Sequence, residues 1–130
     1  MHVRFKTERF RQVLDDDEID RVVLGEDCIE WLRAELSGRG GVVTEFPVGE
    51  DWGYTMAVTV DGSKLWINAQ DWSFQQEQTW HVWIEPRGIL ARMNAGRHAG
   101  ATSRLRQLIG DVLAGDSAIR DVRWSDATPT

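Results

Sequence analysis

Apolar and polar residues alternate most cleanly from Tyr54 to Val60 and from Lys64 to Gln70, with Asp61-Gly62 between the two runs. Alternation of period two predicts half-buried strands, and Asp-Gly between them predicts a two-residue hairpin turn. A second pair of runs, Thr79 to Glu85 and Gly88 to Asn94, flanks Pro86-Arg87 and predicts a second hairpin. With both turns set at two residues, one face collects Met56, Val58, Val60, Leu65, Ile67, Trp80, Val82, Ile84, Ile89, Ala91 and Met93. The other collects Thr55, Ala57, Thr59, Trp66, Asn68, Gln70, His81, Trp83, Glu85, Leu90 and Arg92. A slip of one residue in either hairpin would mix the two sets, so the agreement supports the register.

The remaining segments read less uniformly. Val3 and Phe5 alternate with polar neighbours as in a strand, while Phe10, Val13 and Leu14 have helical spacing, so residues 3–14 are open to either reading. Asp27 is a candidate cap for a helix through Ser37, with Cys28, Ile29, Leu32 and Leu36 on one apolar stripe and Trp31 at its edge. Gly38, Gly40 and Gly41 end that helix. Val42 to Val48 reads as a strand interrupted by Pro47, followed by a loop of Glu50-Asp51-Trp52-Gly53. Asp71 to Gln78 is a polar loop carrying Trp72 and Phe74. After a loop from Asn94 to Gly100, Thr102 or Ser103 can cap a second helix to Ala114, with Leu105, Leu108, Ile109, Val112 and Leu113 at 3.6 spacing. Ala118 to Trp124 reads as a last strand. These elements predict a single α+β domain over residues 1–130. Its antiparallel sheet of about five or six strands forms a meander, with two main helices packed on one face as a two-layer sandwich.

Composition narrows the function classes. The 130 residues are 42% hydrophobic and 28% charged, ordinary for a soluble domain. No apolar run approaches the roughly 20 residues of a membrane helix, and no signal core follows the N-terminus. With one cysteine there is no internal disulfide, so a cytoplasmic location is expected. The net charge of −6, densest at Asp15-Asp16-Asp17-Glu18, argues against nucleic acid and permits attraction to a basic partner.

Candidate chemistry is sparse. His2, His81, His98 and Cys28 lack metal-ligand spacing, so neither a metal nor another cofactor is expected. Cys28 lies on a core stripe, where a buried, inert thiol is expected. Gly38-Arg39-Gly40-Gly41 follows a helix instead of opening one, so it is no phosphate cradle. Two groupings remain. Glu50, Asp51 and Trp52 in one loop, with Asp71 and Trp72 in another, could form an acidic aromatic cluster if the loops share a sheet end; plain turn chemistry explains the same residues. Trp66 and Trp83 point away from the predicted core, with His81, Arg92 and Leu90 on the same face. Tryptophan and arginine are enriched at binding hot spots, but the N-terminal segment or last strand could instead cover this face.

Glu50-Asp51-Trp52-Gly53-Tyr54, the Asp-Gly hairpin and Trp80-His81-Val82-Trp83-Ile84-Glu85-Pro86 together resemble small bacterial α+β proteins with an acidic-Trp-Gly loop before an antiparallel meander. Some of these are immunity proteins of toxin–immunity systems, including contact-dependent inhibition. The resemblance covers residues 42–94 and carries no catalytic residue. It implies a non-enzymatic module that works by binding a protein, such as an intracellular inhibitor of a basic toxin domain. A small-ligand domain with a pocket between helices and sheet, Trp52 and Trp72 at its mouth, and a homodimer are the alternatives.

Overall fold

In the computed structural model, residues 1–10, 25–72, 78–85 and 95–126 are described. The elements run β1 (His2–Lys6), α1 (Glu26–Ser37), β2 (Val42–Thr44), β3 (Val48–Glu50), β4 (Gly53–Val60), β5 (Ser63–Asp71), β6 (Thr79–Glu85), α2 (Ala95–Ala114) and β7 (Arg120–Ser125). The sheet order is β2-β4-β5-β6-β1-β7, with β3 beside β2 on the same flank of β4, and every pairing is antiparallel. This is the expected α+β sandwich with a wider sheet.

The β4–β5 register is the one the sequence predicts: Met56 faces Ile67 and Val58 faces Leu65. Asp61 and Gly62 both adopt positive φ, 51° and 82°, as the tight turn requires. Met56, Val58, Val60, Leu65, Ile67, Trp80, Val82 and Ile84 are all buried beneath the helices. From α1 they meet Cys28, Ile29, Leu32 and Leu36; from α2 they meet Ala101, Leu105, Ile109, Val112 and Leu113.

Several boundaries differ from expectation. Val42 to Val48 is two short strands, because the chain leaves the ladder at Phe46 and Pro47, after the Glu45 N–H has donated to the Ala57 carbonyl at 2.9 Å; Glu50 then belongs to β3 and pairs with Gly53, so the loop contracts to Asp51-Trp52. Proline has no N–H to give a ladder, which accounts for the break. The helix α2 starts at Ala95 and not at Thr102 or Ser103. Ala95, Ala99 and Ala101 favour helix strongly enough to carry Gly96 and Gly100. The predicted strand Gly88 to Asn94 lies outside the described residues. The edges of β6 are taken by β5 and β1, so the partner that the predicted second hairpin assigned to β6 is replaced by β1.

Residues 2–6 are strand, inserted between β6 and β7. Val3 and Phe5 join the core, and His2, Arg4 and Lys6 take the opposite face.

Asp27 does not cap α1. Gly25 holds the cap position at φ 96°, with no side-chain cap, and its carbonyl accepts from the Ile29 N–H at 3.0 Å. Contact with β5 explains the substitution, because a Cβ on Gly25 would stand 2.8 Å from the Ala69 carbonyl oxygen. Gly25→Ala therefore combines a left-handed backbone with a clash against main chain. It should lower the unfolding free energy by about 1–3 kcal/mol in a denaturant titration; an unchanged midpoint would show that α1 does not depend on this approach.

Candidate functional site

The face of the sheet opposite the helices is built from the alternate positions of the same strands. One register row runs Val48, Thr55, Asn68, Trp83, His2, Ser125 across β3, β4, β5, β6, β1 and β7. The rows beside it place Ala57, Trp66 and Glu85 on one side and Gln70, His81, Arg4 and Arg123 on the other. Among the described residues no helix lies across this outer face. The N-terminal segment and last strand, which could have covered it, extend it as β1 and β7 instead.

Trp66 and Trp83 both occupy this face and are half-buried. The Trp83 ring lies 5.1 Å from that of Trp52, and the Lys64 ammonium lies 5.3 Å from the Trp66 ring. Trp72 stacks on His81 at 4.3 Å and 14°. The two loop tryptophans therefore fold onto the outer face, joining Trp66 and Trp83 in one aromatic surface. Beyond them, on the β2–β3 flank, Val43 is 65% and Val48 58% exposed.

The acidic aromatic cluster does not assemble as the loops suggested. Asp71 is buried on the helix side, opposite Trp80, whereas Glu50 and Asp51 are exposed at the β3–β4 turn. Strand parity decides this: Asp71 continues the Leu65, Ile67, Ala69 series toward the core. Trp52 and Trp72 are likewise on the wrong side to guard a pocket between helices and sheet. Leu90 and Arg92 lie outside the described residues.

The cation that meets His81 is Arg4, whose Nε donates to His81 Nε2 at 2.6 Å. An accepting Nε2 makes the imidazole neutral, with its proton on Nδ1. Burial, reinforced by the charge of Arg4 and by nearby His2, pushes the His81 pKa down to about 4. His81 Nδ1 is buried and has no hydrogen-bond partner among the described residues. Sequence reasoning overlooked His2, Arg4, Lys6 and Arg123. The available signal was that every polar position alternating with Val3 and Phe5 is basic, in an acidic chain.

Other chemistry stays remote from this face. Cys28 is fully buried, and burial, with Asp27 and Asp71 adding, pushes its thiol pKa far up. A thiol held protonated is a poor nucleophile. Among the described residues no three His, Cys, Asp or Glu side chains converge as metal ligands, and no helix is long and apolar enough to cross a membrane.

The fold and face define an α+β two-layer sandwich whose outer sheet face carries half-buried tryptophans over buried Thr55, Asn68 and His81, with cations toward β1 and β7. The chain matches no protein-family model, no curated protein and no solved structure.

Proposed function

We propose that this protein is a non-enzymatic binding module that docks another protein on the outer face of its sheet. Its concrete form is an inhibitor of the immunity type, occluding the surface of a toxin domain. One observation carries the reading: four tryptophans from separate strands and turns, Trp52, Trp66, Trp72 and Trp83, share a face that no described helix covers. Half-buried aromatic anchors bounded by charged groups are the common chemistry of interface hot spots. Trp83 anchors at the centre of the surface, Trp66 beside it, and Trp52 and Trp72 flank them.

Affinity capture with the wild-type chain and with Trp83→Ala, followed by mass spectrometry and titration of the captured protein, tests this. Trp83→Ala should weaken the complex about 30-fold or more, while its thermal transition falls by only a few degrees. A collapse of the thermal transition would show Trp83 to be structural and would end the proposal. Concentration-dependent self-association lost in the same variant would assign the face to a second copy of the chain.

A further inference from the structure

We propose that the hollow between β1 and β7 on the outer face is an anion-receiving subsite, and that the docked protein presents carboxylates to it. The inference rests on the docking reading above and names the chemistry of the partner.

The hollow measures about 310 Å3 and is lined by Arg4, Phe5, Lys6, Asp121 and Arg123. It originates in the backbone. Arg4 pairs with Arg123 and Lys6 with Arg120, so Asp121 and Val122 together stand opposite Phe5. Asp121 accommodates the extra residue with φ 54°. Such a bulge bends its strand and re-aims neighbouring side chains. Here it sets three cations around one concavity against a single carboxylate.

Two of these cations are uncommitted among the described residues. Among the described residues neither the Lys6 ammonium nor the Arg123 guanidinium forms an ion pair. Arg4 is held in place, its Nε on His81 and its guanidinium carbon 6.0 Å from the Trp72 ring centre. That bond occupies Nε and leaves the terminal N–H groups to meet an acceptor. Fixed guanidinium forks suit carboxylates, and here one adjoins the Trp72–His81 stack, so charged and apolar contacts form one continuous surface.

The whole-chain charge of −6 favours a basic partner, but a partner experiences local charge. Toward β2 and β3 the face carries Glu45 and Glu50, with Glu45 held 3.2 Å from Lys64. Toward β1 and β7 it is basic. A partner fitting this face carries carboxylates at the β1–β7 end, which a uniformly basic domain does not supply.

The test titrates the intact protein with a blocked tetraglutamate peptide at low salt, following tryptophan fluorescence. A saturable change is expected, weakened at least tenfold in Arg123→Glu and in Lys6→Glu, and weakened progressively by added salt. Both variants should keep the wild-type thermal transition, since the Arg123 side chain is exposed and that of Lys6 is only partly buried. Equal affinity in the charge-reversed proteins, an equal response to tetralysine, or no saturable response would overturn the proposal. Inorganic phosphate is titrated in parallel. Saturation by phosphate with the same dependence on Lys6 and Arg123, but none by tetraglutamate, would mark a free-anion site and overturn the assignment to a protein partner. A captured protein released by Trp83→Ala but retained by Arg123→Glu would leave the docking face standing and remove the subsite.

Discussion

Trp80→Ala should lower the unfolding free energy by roughly 3–5 kcal/mol and the thermal midpoint by about 10–20 °C. Trp80 lies only three residues from Trp83, yet strand parity puts it on the helix side with none of its surface exposed. Its ring meets Phe10 edge-on at 5.2 Å and 85°, and Phe5 and Asp71 are its partners on the neighbouring strands. Truncation leaves a void at the junction of β1, β5 and β6, too tightly framed to collapse. Trp80 also contains a discriminating detail: its indole Nε1 is buried with no hydrogen-bond partner among the described residues. An orphaned donor costs about 1–3 kcal/mol, so Trp80→Phe, which removes the donor and keeps a ring, should cost much less than Trp80→Ala. Equal losses in the two variants would show that the ring kept by Trp80→Phe does not fill the site and would contradict this account. Comparable losses in Trp80→Ala and Trp83→Ala would contradict the assignment of the two rings to opposite faces.

Acidification should expose His81. Its folded pKa is about 4 against an ordinary 6.5, so between those values the unfolded chain binds a proton that the folded chain refuses. Stability from this group is complete above pH 6.5 and is lost as the pH falls toward 4, by about 3 kcal/mol over the window. Carboxylates titrate in the same range, so the quantity to measure is the difference from His81→Gln, whose amide oxygen can still accept from Arg4. The wild type should lose about 3 kcal/mol more than the variant between pH 6.5 and 4 in denaturant titrations. Parallel pH profiles would mean that the imidazole protonates without cost in the fold.

Much of this architecture is legible in the amino-acid order because its strongest signals are local. Asp61-Gly62 sets one hairpin register, and that register sorts side chains onto two faces without any distant information. The stripes of α1 and α2 are equally local. What escapes is long-range or tertiary. Nothing near Val3 and Phe5 states that β1 lies between β6 and β7, and it is this insertion that displaces the predicted second hairpin. Gly25 in place of Asp27 at the start of α1 is dictated by the backbone of β5, a contact with no local trace. Alanines carry α2 past glycines that read as a loop.

The candidate face was half legible for the same reason. Trp66, Trp83 and His81 follow from hairpin parity. Trp52 and Trp72 were assigned to loops, and only the fold lays them over the outer face. Arg4 stands beside His81, and Arg123 joins it through β7. The basic alternation in residues 2–6 was visible, but which strand it adjoins was not, because pairing between distant segments leaves no periodicity of its own.

The position of β1 also bears on how the protein forms. Its Arg4 reaches His81 across a separation of 77 residues, and β7 must arrive from farther still along the chain. Contacts of such long sequence separation slow folding, since loop-closure entropy is spent before they are gained. The β4–β5 hairpin and the helices can organise early, whereas the hollow between β1 and β7 exists only once both outlying strands have docked. During synthesis, β1 emerges long before its partners and waits with one unpaired edge on either side. The proposed docking surface is therefore among the last parts to be completed, and only a chain that has finished folding presents it.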